Sequence, residues 1–370
     1  MNSTSKKVLF IIPTTNPGGI ETYLLRFLKY NKENELIKPF VLVRNRMKGE
    51  LAFKYEELGI PIYYQPLGFF NIKNMVKYFL FFKTHKPSII CDFNANFAGL
   101  SLFIAYLAKI ESRIAFYRQG KNHYQRSLFK DIYNYFSNKL VAIFATQILA
   151  NSNNALNYFF QNRKLDERFK VIYNGVNINL FSIRNNENYI RNSLNIPEDG
   201  FMISHSGRLD PAKNHQIILE IAKIYCKKRS NVYFVMCGLE TEKLKPQINA
   251  LNLQNKVFAL GYREDVVQVL SESSLFIFPS TTEGQPNALI EAMLMNLPIL
   301  ASNIEAIRES VPFNFYSNLL DPNDVNGFIE AIEKTETIDA FQDQLKLKDW
   351  AMENFDDKTR FKEFYNQLIK

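Results

Sequence analysis

The chain has 370 residues, 46% of them apolar and 22% charged, which is a globular composition too long for one ordinary core and points to two domains. Its charge is divided: residues 1–185 hold 26 Lys and Arg against 11 Asp and Glu, and residues 186–370 hold 19 against 26. No apolar run approaches the ~20 residues that span a bilayer, and Val8–Ile12, stopped by Pro13, is too short for a signal peptide, so the expectation is a cytosolic protein.

Val8–Ile12 reads as a buried strand and Pro13–Gly19 as a glycine loop. Ile20–Lys29 has apolar residues at helical spacing. Gly18 and Gly19 at a strand-to-helix turn let the backbone approach a ligand, or simply form a tight turn; they lack the spacing of a dinucleotide fingerprint or a P-loop. The alternation then repeats. Strands are expected at Phe40–Val43, Ile60–Tyr64, Ser88–Cys91, Arg113–Tyr117, Ile148–Ala150 and from Lys170, with helices between them, including a long one from about Ser127 to Ala145. Strand–helix alternation predicts a parallel sheet covered on both faces. Cys91, Cys226 and Cys237 are widely spaced and lie in apolar segments, as reduced core cysteines do.

Residues 178–200 lack periodicity and read as the linker. A second series follows, with strands at Phe201–His205, Val232–Met236, Val257–Leu260, Leu275–Phe278 and Pro298–Ala301, and helices at 215–228, 242–251 and 264–272. Trp350–Lys370 reads as a terminal helix. The predicted fold class is α/β, with two Rossmann-like doubly wound parallel-sheet domains. Residues 1–180 form the first, 181–350 the second, and 351–370 a helix that packs back on the first.

Ligands of open parallel sheets bind outside the carboxyl ends of the strands. In the second half those ends carry Gly207, Arg208 and Lys213, then Gly238, then Tyr262 and Arg263, then Glu283 to Asn287 with Glu291 one turn into its helix. Pro279–Glu291 is a strand–loop–helix joint, which places backbone N–H groups and a positive helix end at the sheet edge. Glu283 and Glu291 are either acids that flank this anion site or an ordinary loop acid and a solvated helix residue. Arg and Lys beside a helix N-terminus suit a diphosphate, and a carboxylate accepts two hydrogen bonds from vicinal hydroxyls. Phosphate next to hydroxyls describes a nucleotide-sugar.

Gly18-Gly-Ile-Glu21, Asn174-Gly-Val-Asn177, Ser206-Gly-Arg208 with Lys213-Asn214, and Glu283-Gly-x-Pro-x-x-Leu-x-Glu291 occur in this order. Together they resemble family 4 of the retaining glycosyltransferases (glycosyl transferases group 1), which have the GT-B fold with a cleft between two domains. The resemblance implies that Arg208 and Lys213 bind the donor diphosphate and stabilise the leaving group, that Glu291 holds the ribose, and that Glu283 sits by the transferred sugar. It also implies that Gly18 and Gly19 close over the phosphates or acceptor. Pro286, Asn287, Ala288 and Leu289, beside Gly284, would present backbone N–H groups to the donor. No cofactor or metal is expected, and no Asp-x-Asp triplet occurs. The chain departs from the pattern where many members carry a His after the fifth strand. Arg118 aligns there, with His123 as the possible substitute, and a permanent cation cannot shuttle a proton at neutral pH. Asn94 and Asn96, with Arg118 and His123, are the candidate acceptor residues. Asn303–Ala306 lacks the glycines often found at its position.

Two segments, Phe69–Lys86 and Lys121–Lys139, mix lysines with a wide apolar face. Each reads as a core helix with a solvated edge or as a membrane-surface helix, and the basic excess of the first half favours the second reading. Nucleic acid is the weaker partner, because no binding motif accompanies the charge. The expected function is sugar transfer from a UDP- or GDP-sugar to a lipid-linked or glycan acceptor, in bacterial capsule, O-antigen or lipopolysaccharide assembly at the inner face of the membrane. The rivals are a GT-B nucleotide-sugar 2-epimerase, for which Asp92 is the obvious acid near a first-domain strand end, and a non-catalytic accessory subunit.

Overall fold

A computed structural model describes residues 5–68, 71–118, 128–161, 166–181, 188–337 and 341–370. The chain divides into two compact units, residues 1–175 with 358–370, and residues 176–357.

The first unit contains β1 (Lys7–Ile12), β2 (Lys38–Val43), β3 (Ile62–Tyr64), β4 (Ile89–Asp92), β5 (Ser112–Tyr117), β6 (Gln147–Ala150) and β7 (Phe169–Val171), in the order β3-β2-β1-β4-β5-β6-β7. Every pair is parallel. The central strands are apolar on both faces because helices cover both. One face packs helix Gly19–Asn34 through Tyr23, Leu24, Phe27 and Leu28, and the other packs helices Ile72–His85, Ala98–Leu107 and Leu128–Phe144. Chain order reverses between β1 and β4, so the loops after these two strands bound a crevice at the carboxyl edge.

The second unit contains β8 (Phe201–Ser206), β9 (Val232–Cys237), β10 (Val257–Ala259), β11 (Leu275–Phe278) and β12 (Ile299–Ala301), all parallel, in the order β10-β9-β8-β11-β12. Here the reversal lies between β8 and β11.

Two expectations are corrected. Part of the supposed linker is core: Ile190 and Ile196 are buried against Met202, Val235 and Val269. Helix Tyr189–Ser193 is fixed by Glu272, whose carboxylate accepts from the Ile190 and Arg191 N–H groups at 3.1 and 2.8 Å. The Arg191 guanidinium in turn donates to the carbonyls of Glu272, Pro197 and Gly200. Polar burial of this kind leaves no apolar periodicity to read.

The terminal segment is two helices, Phe341–Phe355 and Asp357–Leu368. The break comes where the Val176 N–H donates to the Phe355 carbonyl at 2.8 Å and the Asp357 N–H donates to the Val176 carbonyl at 3.1 Å, which interrupts the helical ladder. The last helix belongs to the first unit and buries Phe361, Phe364 and Leu368. Phe364 lies edge-on to Phe27 at 4.7 Å between ring centroids. Among the described residues no helix is long and apolar enough to cross a membrane.

Phe364 is fully buried in an aromatic cluster with Phe10, Tyr23, Phe27, Phe93 and Phe116. Phe364→Ala is therefore expected to cost ~3–5 kcal/mol of first-unit stability. Urea titration followed by near-ultraviolet circular dichroism measures this, and an unchanged midpoint would show that the terminal helix adds nothing to the unit.

Candidate active site

In the second unit the loops at the strand reversal are joined. Beyond β8 the chain makes a tight turn, Pro211–Lys213, with Pro211 at its first position and the Asp210 carboxylate accepting from the Ala212 N–H at 2.9 Å. The turn delivers Lys213, whose Nζ lies 2.6 Å from Glu283 Oε1 and 5.0 Å above the Phe278 ring centroid. The two side chains are 19% and 10% exposed, so the pair is largely withdrawn from water. Asn214 donates to the carbonyls of Pro279 and Pro322, and the Thr281 N–H donates to the Ala212 carbonyl at 2.8 Å. These bonds tie the post-β8 loop to the post-β11 loop.

The glycines bring the neighbouring loops close. The Gly207 N–H donates to the Cys237 carbonyl and the Gly238 N–H to the Gly261 carbonyl, both at 2.8 Å. Gly238 has φ +143°, and a Cβ there would lie 2.2 Å from the Gly207 oxygen, so only glycine fits.

Arg208 is 56% exposed and rests 3.3 Å from Asp210. Arg263 grips Asp265 through Nε at 2.7 Å and Nη2 at 2.5 Å, and Tyr262 beside it is half exposed. The Cys237 thiol is pushed up to about 11, first by burial, with the nearby Glu291 and Asp265 carboxylates adding and Arg263 opposing. Glu291 and Arg263 therefore face the β9 and β10 ends, while Glu283 faces Lys213. The two carboxylates occupy different surroundings.

One expectation fails locally. Pro286 has no N–H, and those of Asn287 and Leu289 donate within the loop, to Gln285 and Pro286 at 3.0 and 3.1 Å. The stretch from Pro286 to Leu289 does not present a row of free donors. Leu289 is fully buried and anchors helix Asn287–Leu294, whose first turn has no side-chain cap; Ala288 and Gly284 are partly exposed at its mouth.

In the first unit, the candidates gather at the β1, β4 and β5 ends. Gly18 is extended, and a Cβ there would lie 2.5 Å from Glu21 Oε2, whereas Gly19 faces open space. Glu21 is buried, accepts from the Thr14 hydroxyl at 3.1 Å, and is raised above the usual carboxyl range by that burial. Arg118 follows β5 directly, with its guanidinium carbon 3.5 Å over the Tyr23 ring and Nη2 donating to Asn174. Burial brings it down to about 10, with Arg26 a further contribution, so it stays cationic at neutral pH; its Nε and Nη1 are buried without a hydrogen-bond partner.

Asn94 is committed to the scaffold, donating to Asp92 Oδ1 and the Ile11 carbonyl. Asp92 is fully buried and accepts from the Asn94 N–H and from the Ser101 hydroxyl, which ties it to the scaffold. Asn96 donates to Asn134. His123 lies outside the described residues. Among those residues no three His, Cys, Asp or Glu side chains come together to hold a metal.

The sequence reading passed over Asp210 and Asp265, the partners of Arg208 and Arg263, although Asp-Pro-Ala-Lys carries a helix-start signal at Asp210. It also passed over His205 and His215, whose buried rings meet edge-on at 4.9 Å beneath the Gly207–Lys213 loop. Nothing in the sequence marks that pair.

Residues 186–349 match the family described as "Glycosyl transferases group 1". The second unit is a group 1 glycosyltransferase domain. The chain is similar to the capsular polysaccharide biosynthesis glycosyltransferase CapH of Staphylococcus aureus, 27% identical over 306 residues that cover 81% of this chain and 82% of that one. A 172-residue stretch is 31% identical to the Escherichia coli UDP-Gal:alpha-D-GlcNAc-diphosphoundecaprenol alpha-1,3-galactosyltransferase, covering 45% of this chain and 44% of the other. Among solved structures, Anabaena HepE in complex with UDP and glucose superposes with a TM-score of 0.81 over 99% of this chain and 100% of that one. At 21% identity that likeness is one of fold, and both units have the doubly wound parallel sheet of GT-B glycosyltransferases.

The buried histidines make this glycosyltransferase domain sensitive to acid. Burial first, and then the neighbouring imidazole, hold His205 well below the usual range. Burial holds His215 at about 4, with Lys213 adding and Asp210 opposing. Both groups are neutral when folded and protonate on unfolding, so their contribution is full above about pH 6.5 and lost as pH falls toward 4. Thermal unfolding followed across pH 4–7 should show a loss of order 3 kcal/mol from His215. His215→Asn should flatten that dependence, and an identical pH profile in the variant would exclude the linkage.

Proposed function

We propose that the chain is a retaining family 4 glycosyltransferase that moves a sugar from a UDP- or GDP-sugar to a lipid-linked or glycan acceptor in bacterial surface polysaccharide assembly, without a metal. The observation that carries this reading is the Lys213–Glu283 pair at the strand reversal, with Arg208, Arg263 and Glu291 around it. The activities of CapH and of the E. coli galactosyltransferase support the polysaccharide and lipid-diphosphate setting, and UDP in HepE favours uridine as the base.

Glycosyl transfer passes through an oxocarbenium-like state, and its largest demand is stabilising the departing nucleoside diphosphate. An ammonium has three donors. With one on Glu283, Lys213 keeps two for the leaving phosphate, and exposed Arg208 can meet the diphosphate bidentately. Glu291 takes the ribose hydroxyls, and Glu283 takes a hydroxyl of the transferred sugar. The C1–O(phosphate) bond breaks, the C1–O(acceptor) bond forms on the same face, and the acceptor proton passes to the departing phosphate oxygen. Arg118, a permanent cation, serves charge and not proton transfer. The hydrogen bonds that occupy both Asp92 oxygens, from Asn94 and Ser101, count against the epimerase reading.

Lys213→Ala and Arg208→Ala should each lower turnover by ~10²–10³, if each stabilises the leaving group. Nucleotide release from a panel of UDP- and GDP-sugars, with EDTA present, measures this. Free sugar should appear as the donor anomer; release of a 2-epimer, or wild-type rates in both variants, would refute the assignment.

The first unit supplies the surface for a membrane-held acceptor. Helix Ile72–His85 buries Tyr78 and Phe82 but leaves Ile72, Val76 and Leu80 exposed at i, i+4 and i+8, beside the exposed Lys73, Lys77 and Lys83. Binding to liposomes should require anionic lipid and weaken with salt, each cation near the leaflet contributing about 1 kcal/mol. Equal binding to neutral liposomes at high salt would remove the electrostatic basis.

A further inference from the structure

Between helix Leu128–Phe144, the turn at Asn96 and the end of helix Asn153–Phe159 lies a cavity of about 440 Å³, within the range of ligand pockets at ~300–1,000 Å³. It is built from carboxamides and aromatic rings. Asn134 and Asn138 stand one helical turn apart, and Asn96 reaches them from the β4 end. The Asn138 carboxamide is fixed, accepting from the Tyr117 hydroxyl and donating to the Phe159 carbonyl, each at 2.7 Å. Asn96 is 1% exposed, and its Oδ1 has no hydrogen-bond partner. Tyr135 and Tyr158 line the cavity as partly exposed rings, and the Lys139 ammonium sits 5.0 Å over the Tyr135 ring.

The chemistry of the walls selects the occupant. An apolar ligand would leave Asn96 Oδ1 unsatisfied, at the cost of a buried acceptor without a donor. A nucleotide would need several cations, and Lys139 is the one cation among the described lining residues. Carboxamides both donate and accept, as paired hydroxyls require, and aromatic rings cover the apolar faces of sugar rings. We infer that this cavity binds a saccharide unit of the acceptor, set back along the helix from the residue that receives the transferred sugar. The acceptor assignment rests on the transferase reading; saccharide binding itself does not.

Saturation-transfer NMR on the full chain, with the methyl glycosides of glucose, galactose and N-acetylglucosamine, tests the inference. At least one glycoside should bind, and saturating UDP-glucose should not displace it. Ala142→Trp, which fills the cavity, should abolish the signal with UDP affinity unchanged, and Asn96→Leu should weaken binding about tenfold, as for one lost hydrogen bond to a buried group. Near-ultraviolet circular dichroism and the urea midpoint of the first unit report that a variant is folded there, and Tyr158→Ala provides a second, less intrusive change with the same expected direction. No signal from any glycoside, displacement by UDP-glucose, or an undiminished signal in Ala142→Trp would overturn the inference. Donor hydrolysis, measured separately, fails only with the transferase reading, so the two failures are told apart.

Discussion

The second unit depends on one ion pair. Lys213 and Glu283 come from loops 70 residues apart in sequence, meet at 2.6 Å, and are both largely shielded from water. A desolvated pair returns little net stability, because removing two charges from water consumes most of the Coulombic gain. Its effect is placement. It fixes a cation and a carboxylate at the strand reversal before any ligand arrives, and the turn behind Asp210 and the ties from Asn214 hold both loops to that geometry. Pre-set charge does not have to reorganise when a leaving group develops its own. Removing either partner strands the other, so activity and local stability are expected to fall together at this point.

The first unit uses the same architectural rule with different chemistry. Its strand reversal is stitched by Asp92, Asn94 and Ser101, which spend their polar groups on each other and on the Ile11 carbonyl. What remains to act is Arg118, held over Tyr23 and pushed down toward about 10 by burial. A cation stripped of water interacts more strongly with an incoming anion than a solvated one does. This gives Arg118 a different part from an imidazole: it offers a fixed charge that burial has already desolvated.

Sequence alone showed the twelve parallel strands well, because runs such as Val8–Ile12 and Leu275–Phe278 are apolar on both faces and bounded by Gly and Pro. Strand-end reasoning also placed Arg208, Lys213, Glu283 and Glu291 at one sheet edge, since parallel connectivity delivers every post-strand loop to the same side. It could not show which acid meets which base. Arg208 and Arg263 turned out to have local partners two residues away, and only Lys213 reached across to Glu283. Residues 178–200 read as linker because the anchor of the described stretch 188–200 within them is the Arg191–Glu272 polar network, and hydrophobic period is blind to it. The break at Asp356 was equally hidden, since the partner that interrupts the helix is Val176, 180 residues earlier.

Helix Leu128–Phe144 draws the proposed substrate path together. Tyr133, Ser137 and Val141 follow one another at i, i+4 and i+8 and are buried, which anchors the helix on the sheet. Asn134, Asn138 and Ala142, one residue on at each turn, line the cavity. Ile132, Phe136 and Ile143 lie on a further face and are exposed. An α-helix advances 100° per residue, so three such stripes fit on one cylinder without competing. Exposed isoleucines and a phenylalanine cost solubility unless something covers them, and under the proposed reading a leaflet would do so where a lipid-linked acceptor is anchored. On this helix Tyr135 and Lys139 lie between the carboxamide stripe and the apolar stripe. A saccharide tethered to lipid by a diphosphate would then reach the cavity from the surface that holds its anchor, which is a physical reason for one helix to carry both.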